Sequence, residues 1–156
     1  MKQPDFPRIL GLCCRWCSYA GADLAGAMRL QYPSEIRLMM VPCTGRVDIL
    51  HILKAFELGF DTVFLSGCHE GDCHYLAGNI KAKKRVNKLK KDLEAMGLEP
   101  ERLEMFHVSS GEGPKFAGVC KEMYERALKL GPNPVKRGAR TAWQADHPPV
   151  DLAASQ

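Results

Sequence analysis

ILGLCCRWCSYAGADLAGAMRLQYP, residues 9–33, opens as an apolar run and then changes character. Ile9 to Cys13 has the length and composition of a short buried strand. Gly21 to Gln31 is Ala-rich, with Leu24, Ala25 and Met28 at helical spacing. Tyr32-Pro33 ends that helix, because proline cannot continue the backbone ladder. The stretch is therefore strand then helix. Three cysteines, Cys13, Cys14 and Cys17, lie at the joint.

The same alternation repeats along the chain. Ile36 to Val41 (IRLMMV) reads as a second buried strand. Val47 to Leu58 follows as a helix with Leu50, Leu53 and Phe56 inward and Gly59 as its stop. Thr62 to Ser66 is a third strand. Gly78 to Met96 is a long helix in which Ala82, Val86, Leu89, Leu93 and Met96 recur at three-four spacing. Leu103 to Val108 is a fourth strand. Lys115 to Leu130 is a last helix with Phe116, Val119, Met123, Ala127 and Leu130 inward, ended by Gly131-Pro132. Four strand–helix pairs in series predict a parallel sheet covered on both faces. The expected fold is a small doubly wound α/β sheet of about four strands, flavodoxin-like.

Bulk properties agree with one domain and a tail. The chain has 156 residues, 46% hydrophobic and 26% charged, and a net charge of +4. Residues 1–131 form the expected domain. Residues 132–156 are proline-rich, lack a periodic apolar face and read as an extended or disordered tail, in which Trp143 is a candidate anchor on a partner. No apolar run approaches the ~20 residues that span a bilayer. Met1 to Pro7 has one lysine and no apolar core, unlike a signal peptide. A cytoplasmic location with reduced thiols is the expectation. Seven cysteines, an odd number, also fit a disulfide framework poorly.

The predicted frame places the cysteines. Cys13, Cys14 and Cys17 follow the first strand, Cys43 the second, and Cys68 and Cys73 the third. Parallel strands bring those loops to one edge, where open α/β sheets bind their ligands. Cys14-x-x-Cys17 is one chelating clip. Cys68-x-x-x-x-Cys73 is another, with Gly67 and Gly71 allowing the backbone to fold tightly. Cys43 adds a fifth thiol. Such a donor set suits zinc or an iron–sulfur cluster; the plain alternative is a group of unpaired buried thiols. Zinc more often pins small knuckles without a core of their own, whereas this chain has a core, which favours iron–sulfur. Cys13 should point away from Cys14 into the core. Cys120 should be a core residue of the last helix.

Other polar residues carry weaker signals. His69 and His74 each neighbour a cysteine, so support of the loop is favoured over metal ligation. Asp48 fits the N-terminal cap of the second helix, beside Arg46, and Asp23 fits a cap of the first. Arg15 and Trp16 lie inside a clip, placed to shield it or to touch a partner. Lys81 to Lys91 (KAKKRVNKLKK) has seven positive charges and no acid. It is either a solvated face or a docking surface for an acidic redox partner. Interleaved aromatics for stacking bases are missing there, so nucleic acid is not expected. No Ser-His-Asp constellation, phosphate loop or dinucleotide fingerprint occurs. The cysteine loops would fill the edge where this fold class holds flavin, so no flavin is expected.

CCRWCSYAGADLAG, IRLMMVPCTGRVD, LSGCHEGDCHYLAGNIKAKKRV, GLEPERL and SSGEGPKFA together resemble the delta subunit of methyl-viologen-reducing hydrogenase, from about Ile9 to Pro132. The resemblance implies an iron–sulfur flavodoxin-like subunit with one [2Fe-2S] cluster. It implies a bridge from a hydrogenase or formate dehydrogenase to the flavoprotein subunit of heterodisulfide reductase. It implies ligands among Cys14, Cys17, Cys43, Cys68 and Cys73, five candidates for four positions, with Cys14, nearest the strand, as the suspected spare. The expected function is a non-catalytic relay of single electrons. Two other classes compete: a zinc-stabilised binding module, and a dithiol redox protein using Cys14 and Cys17.

Overall fold

A computed structural model describes residues 6–135. Its elements are β1 (Ile9–Cys14), α1 (Ser18–Ala27), β2 (Ile36–Val41), α2 (Ile49–Glu57), β3 (Thr62–Gly67), α3 (Gly78–Ala95), β4 (Leu103–His107) and α4 (Gly113–Leu130), with single 3₁₀ turns at Thr44–Arg46 and Pro100–Arg102. The four strands form one sheet in the order β2-β1-β3-β4, and every pairing is parallel. Right-handed crossovers explain the layers. The chain moves outward from β1 to β2, then returns past β1 to β3 and β4. Reversal of direction sends α2 and α3 to the face opposite α1.

Strand alternation feeds both layers. Leu10 and Leu12 of β1 join Ile52, Phe56, Val86 and Leu89 in the core under α2 and α3. Ile9 and Cys13 join Ala25, Phe64, Phe116 and Met123 under α1 and α4. Gly11 sits between them; a Cβ there would lie 2.5 Å from the Phe64 ring. Its missing side chain is what lets Phe64 cross β1. The doubly wound α/β expectation is met, and Cys13 and Cys120 are core residues as read.

Several sequence expectations are corrected. Helix α1 starts at Ser18 and stops at Ala27, so Asp23 lies within it and caps nothing; Cys17 holds the cap position. Its buried face is Ser18, Gly21, Ala22 and Ala25, while Met28 is 49% exposed. Small residues there let α4 approach, and a Cβ on Gly113 would be 3.0 Å from the Ala25 backbone nitrogen. On α2 the inward residues are Ile52, Ala55 and Phe56, and Leu50 is 72% exposed. Asp48 caps α2 as read, accepting from the Leu50 N–H, with His51 accepting from the Asp48 N–H. Strand β2 is an edge strand, so Met39 and Met40 are half exposed rather than buried.

The edge of the sheet away from the cysteines is closed by polar groups. Asn133 is buried; its backbone N–H donates to the Asp61 carboxylate and its amide to the Phe56 and Phe60 carbonyls. Residues 136–156 of the expected tail, with Trp143, lie outside the described residues. No helix among the described residues is long and apolar enough to cross a membrane.

Candidate metal centre

Register sets the site. Cys13 lies opposite Met40 and Ser66, Cys14 opposite Val41, and Gly67 opposite His107, so the strand ends are level. The reversal of winding lies between β1 and β3, the position where such sheets open a crevice for ligands. Cys14 ends β1 and Cys68 follows β3, so both thiols stand at that crevice. Cys17 precedes α1, Cys43 caps the 3₁₀ turn after β2, and Cys73 lies in the loop before α3. All five are buried.

The structure brings the five predicted thiols into two adjoining groups. The sulfurs of Cys14, Cys17 and Cys68 lie within 4.8 Å of one another. Cys43 Sγ and Cys73 Sγ are 3.9 Å apart. Burial raises both the Cys43 and the Cys68 thiols, and charge on Cys14 and on Cys73, respectively, adds a smaller push in the same direction.

Glycines make the second group possible. A Cβ on Gly78 would lie 2.3 Å from Cys43 Sγ and 3.2 Å from Cys73 Sγ. A Cβ on Gly45 would lie 2.6 Å from the Gly78 Cα, and one on Gly67 would lie 2.8 Å from Thr44 Oγ1. The turn after β2 and the start of α3 thus meet backbone to backbone, and the Thr44 side chain packs against the end of β3. Gly71 has a different role: its φ of +92° turns a loop with open space around it.

Neighbouring thiols, burial and backbone N–H groups set the charge of the thiols. A hydrogen bond from Cys17 holds Cys14 down to about 6 against its burial. The same contact, with burial, pushes Cys17 up. Burial pushes Cys43 up to about 11, although the Gly45 N–H donates to its sulfur at 3.4 Å. Burial opposes ionisation of Cys73, but N–H groups of Asn79, Tyr75 and Gly78 outweigh it and lower the thiol. The N-terminus of α3 therefore favours negative charge at Cys73. Cys13 and Cys120, on the other face, are pushed up to about 12 by burial and stay neutral.

A frame of polar contacts holds the Cys68 loop. Buried Asn79 donates to the carbonyls of Cys68 at 3.0 Å and His69 at 2.7 Å. His107 Nδ1 is 2.7 Å from the Cys68 carbonyl, which only accepts, so that nitrogen carries the proton. The His69 ring meets the Glu112 carboxylate at 2.7 Å, and Glu112 also accepts from the Ser109 N–H. His74 stacks on Trp16 with centroids 3.9 Å apart, and Trp16 Nε1 donates to the Tyr75 hydroxyl. Both predicted histidines thus have partners other than the thiols.

The donor set fits a thiophilic centre. Five buried thiols without a carboxylate or imidazole among them suit zinc or iron–sulfur and disfavour magnesium or calcium. Gly78, Asn79, Gly45, His107 and Glu112 were missed in the sequence reading. Gly78-Asn79 at the start of a helix, directly after a cysteine loop, was the available signal.

The sequence matches, over residues 9–131, the family described as methyl-viologen-reducing hydrogenase, delta subunit. It is 51% identical over 124 residues to the iron-sulfur subunit of the vhu F420-non-reducing hydrogenase from Methanopyrus kandleri, covering 80% of this chain and 94% of that protein. Identity is 47% over 130 residues to the iron-sulfur subunit of the vhc F420-non-reducing hydrogenase from Methanococcus voltae, covering 83% and 90%. It is also 40% identical over 126 residues to one subunit of the ferredoxin/F420H2-dependent CoB-CoM heterodisulfide reductase from Methanosarcina acetivorans. That match covers 81% of this chain but only 16% of that protein.

Proposed function

The chain belongs to the methyl-viologen-reducing hydrogenase delta subunit family, and we propose that it is an electron-transfer subunit carrying one [2Fe-2S] cluster. In this reading it takes single electrons from a hydrogenase or formate dehydrogenase-type module. It passes them to the flavoprotein subunit of a heterodisulfide reductase-like complex in the cytoplasm. The observation that carries the reading is the gathering of five buried thiols past the C-terminal ends of the strands, as the trio Cys14, Cys17 and Cys68 and the pair Cys43 and Cys73.

Cys43 and Cys73 would supply one pair of ligands, and two of Cys14, Cys17 and Cys68 the other, which leaves the spare thiol in the trio. Cys14, at the strand end, is the proposed spare. When bound, the cluster supplies reversible one-electron chemistry and breaks no substrate bond. The chain's own residues bind and tune. Gly45 and the first turn of α3 direct N–H groups at sulfur, which stabilises negative charge there and raises the potential. Gly78 and Gly45 close the wall so that no side chain separates the turn from the helix. The reading gives this chain no flavin, no nucleic-acid partner and no membrane.

Relatives support the partners proposed. Some are iron-sulfur subunits of hydrogenases, and others carry a similar segment inside a much longer heterodisulfide reductase polypeptide. The dithiol reading draws on the low Cys14 thiol beside Cys17 but leaves Cys43, Cys68 and Cys73 without a role. The test is anaerobic purification with iron and acid-labile sulfide counted per chain, and EPR after dithionite reduction. About two irons and two sulfides with a reduced [2Fe-2S] signal are expected. One zinc without sulfide would overturn the relay in favour of the zinc-stabilised module.

A further inference from the structure

Beside the thiols the surface opens into a cleft of about 600 Å³. Arg46, Lys81 and Arg85 line it with Pro42, Tyr75, Cys43, Gly45 and Gly78. No carboxylate among the described residues lines it. Arg85 is tied down: its guanidinium donates to the carbonyls of Gly45 and Val47. Arg46 and Lys81 are exposed, and neither makes an ion pair among the described residues. Along α3, Lys83 is engaged by Glu70 and Lys90 by Glu104, which leaves Lys81, Lys84, Lys88 and Lys91 without a carboxylate among the described residues.

The rim is apolar. Tyr75 is 53% exposed, Leu76 86% and Trp16 47%, and Trp16 is joined to Tyr75 by a hydrogen bond. Leu76 is held in the left-handed region, φ 69°, which a leucine rarely occupies. Strained backbone holding a large apolar side chain in water is characteristic of functional surfaces.

We propose that this cleft and the Tyr75–Leu76 turn seat an acidic segment of the flavoprotein that takes electrons from the cysteine site. Two exposed cations with no carboxylate beside them among the described residues of the cleft make it complementary to an anion. A small anion would satisfy Arg46 and Lys81 but leave Trp16, Tyr75 and Leu76 in water. A carboxylate presented by a protein, with an apolar neighbour, covers both. Its seat would lie directly on the wall formed by Cys43, so docking and electron exchange share one surface. The inference rests on the relay proposed above and names the docking surface that it needs.

The test uses the full-length, iron-loaded protein and the purified heterodisulfide reductase-type flavoprotein from the same source. Association and dissociation rates are measured across a salt series. Arg46→Glu with Lys81→Glu should slow association by about tenfold or more at low salt and flatten the salt dependence. Leu76→Ser should speed dissociation. Lys121→Glu with Lys129→Glu, on α4, should change neither rate more than about twofold. Iron and sulfide content is checked in each variant. Unchanged rates in the Arg46 and Lys81 variant, with wild-type iron and tight wild-type binding, would overturn the docking site and leave the relay standing. A wild-type protein that holds its iron but binds no flavoprotein would overturn both. Pyrophosphate binding that is lost in the double variant, with flavoprotein binding intact, would assign the cleft to a small anion and overturn the proposal.

Discussion

Gly78 has no side chain, and the pair formed by Cys43 and Cys73 depends on that. Alanine there puts a methyl group 2.3 Å from one sulfur and 3.2 Å from the other, so a sulfur or the start of α3 must move. Gly78→Ala is therefore expected to lose more than about half of its iron while keeping its helix content, since α3 is otherwise a good helix. Iron per chain and far-UV circular dichroism check this; full iron occupancy would contradict it. Gly71→Ala is the contrast. Its methyl would meet open space, and only the φ of +92° resists it. The expected cost is about 1–2 kcal/mol in stability with iron retained. The cysteines divide in the same way. Cys17→Ala should lower iron content. Cys13→Ala and Cys120→Ala, which hollow the opposite core, should cost about 1–3 kcal/mol and leave the iron in place.

At the level of elements, the alternation of strand and helix was legible because each buried strand is a short apolar run between turn signals. Cysteine placement followed from it, since strand ends are where a parallel sheet gathers its loops. What escaped the reading has physical causes. Helix α1 packs through Ser18, Gly21, Ala22 and Ala25, too small to write an apolar stripe, and a thiol residue stands where an Asp or Ser cap would be sought. Exposed Leu50 outweighed Ile52 and Ala55 in the pattern on α2 although only the latter two face the core. The glycine contacts join segments far apart in sequence, so the local pattern marks Gly78 at a helix start but not what it touches. Asn79 is similar, a helix residue whose work is on another loop. Removing it should separate its role from an ordinary cap. Asp48→Ala should cost about 1 kcal/mol and leave iron release unchanged. Asn79→Ala abandons the buried Cys68 carbonyl and the partly buried His69 carbonyl, and should cost about 1–3 kcal/mol. It should also speed iron release to a chelator, because the Cys68 loop loses its tether. Equal release rates in the two variants would show that Asn79 supports the fold alone.

Across the whole molecule the two edges of the sheet do different work. One gathers thiols; the other is locked by polar groups. Buried Arg102 donates to the carbonyls of Asp61, Leu130 and Gly131 and pairs with Glu99, tying α4 to the sheet. Arg102→Leu strips those acceptors of their donor and should cost about 3 kcal/mol or more, with the reduced EPR signal unaltered. The thiol edge has its own cross-tie in Glu112, which begins α4 yet holds the Cys68 loop through His69. The Ser109 N–H, then His69, hold its carboxyl down to about 2. A carboxylate depressed in the folded chain stabilises it above its unfolded pKa of about 4.3, and that contribution fades as pH falls toward the folded value. Glu112→Gln lacks this titration. The melting temperature of wild type should therefore exceed that of Glu112→Gln at pH 6. The margin should then narrow as pH falls from about 4.5 toward 2. Thermal melts of both proteins at pH 6 and pH 3 measure it. A margin as wide at pH 3 as at pH 6 would mean that Glu112 acts through its shape and not its charge.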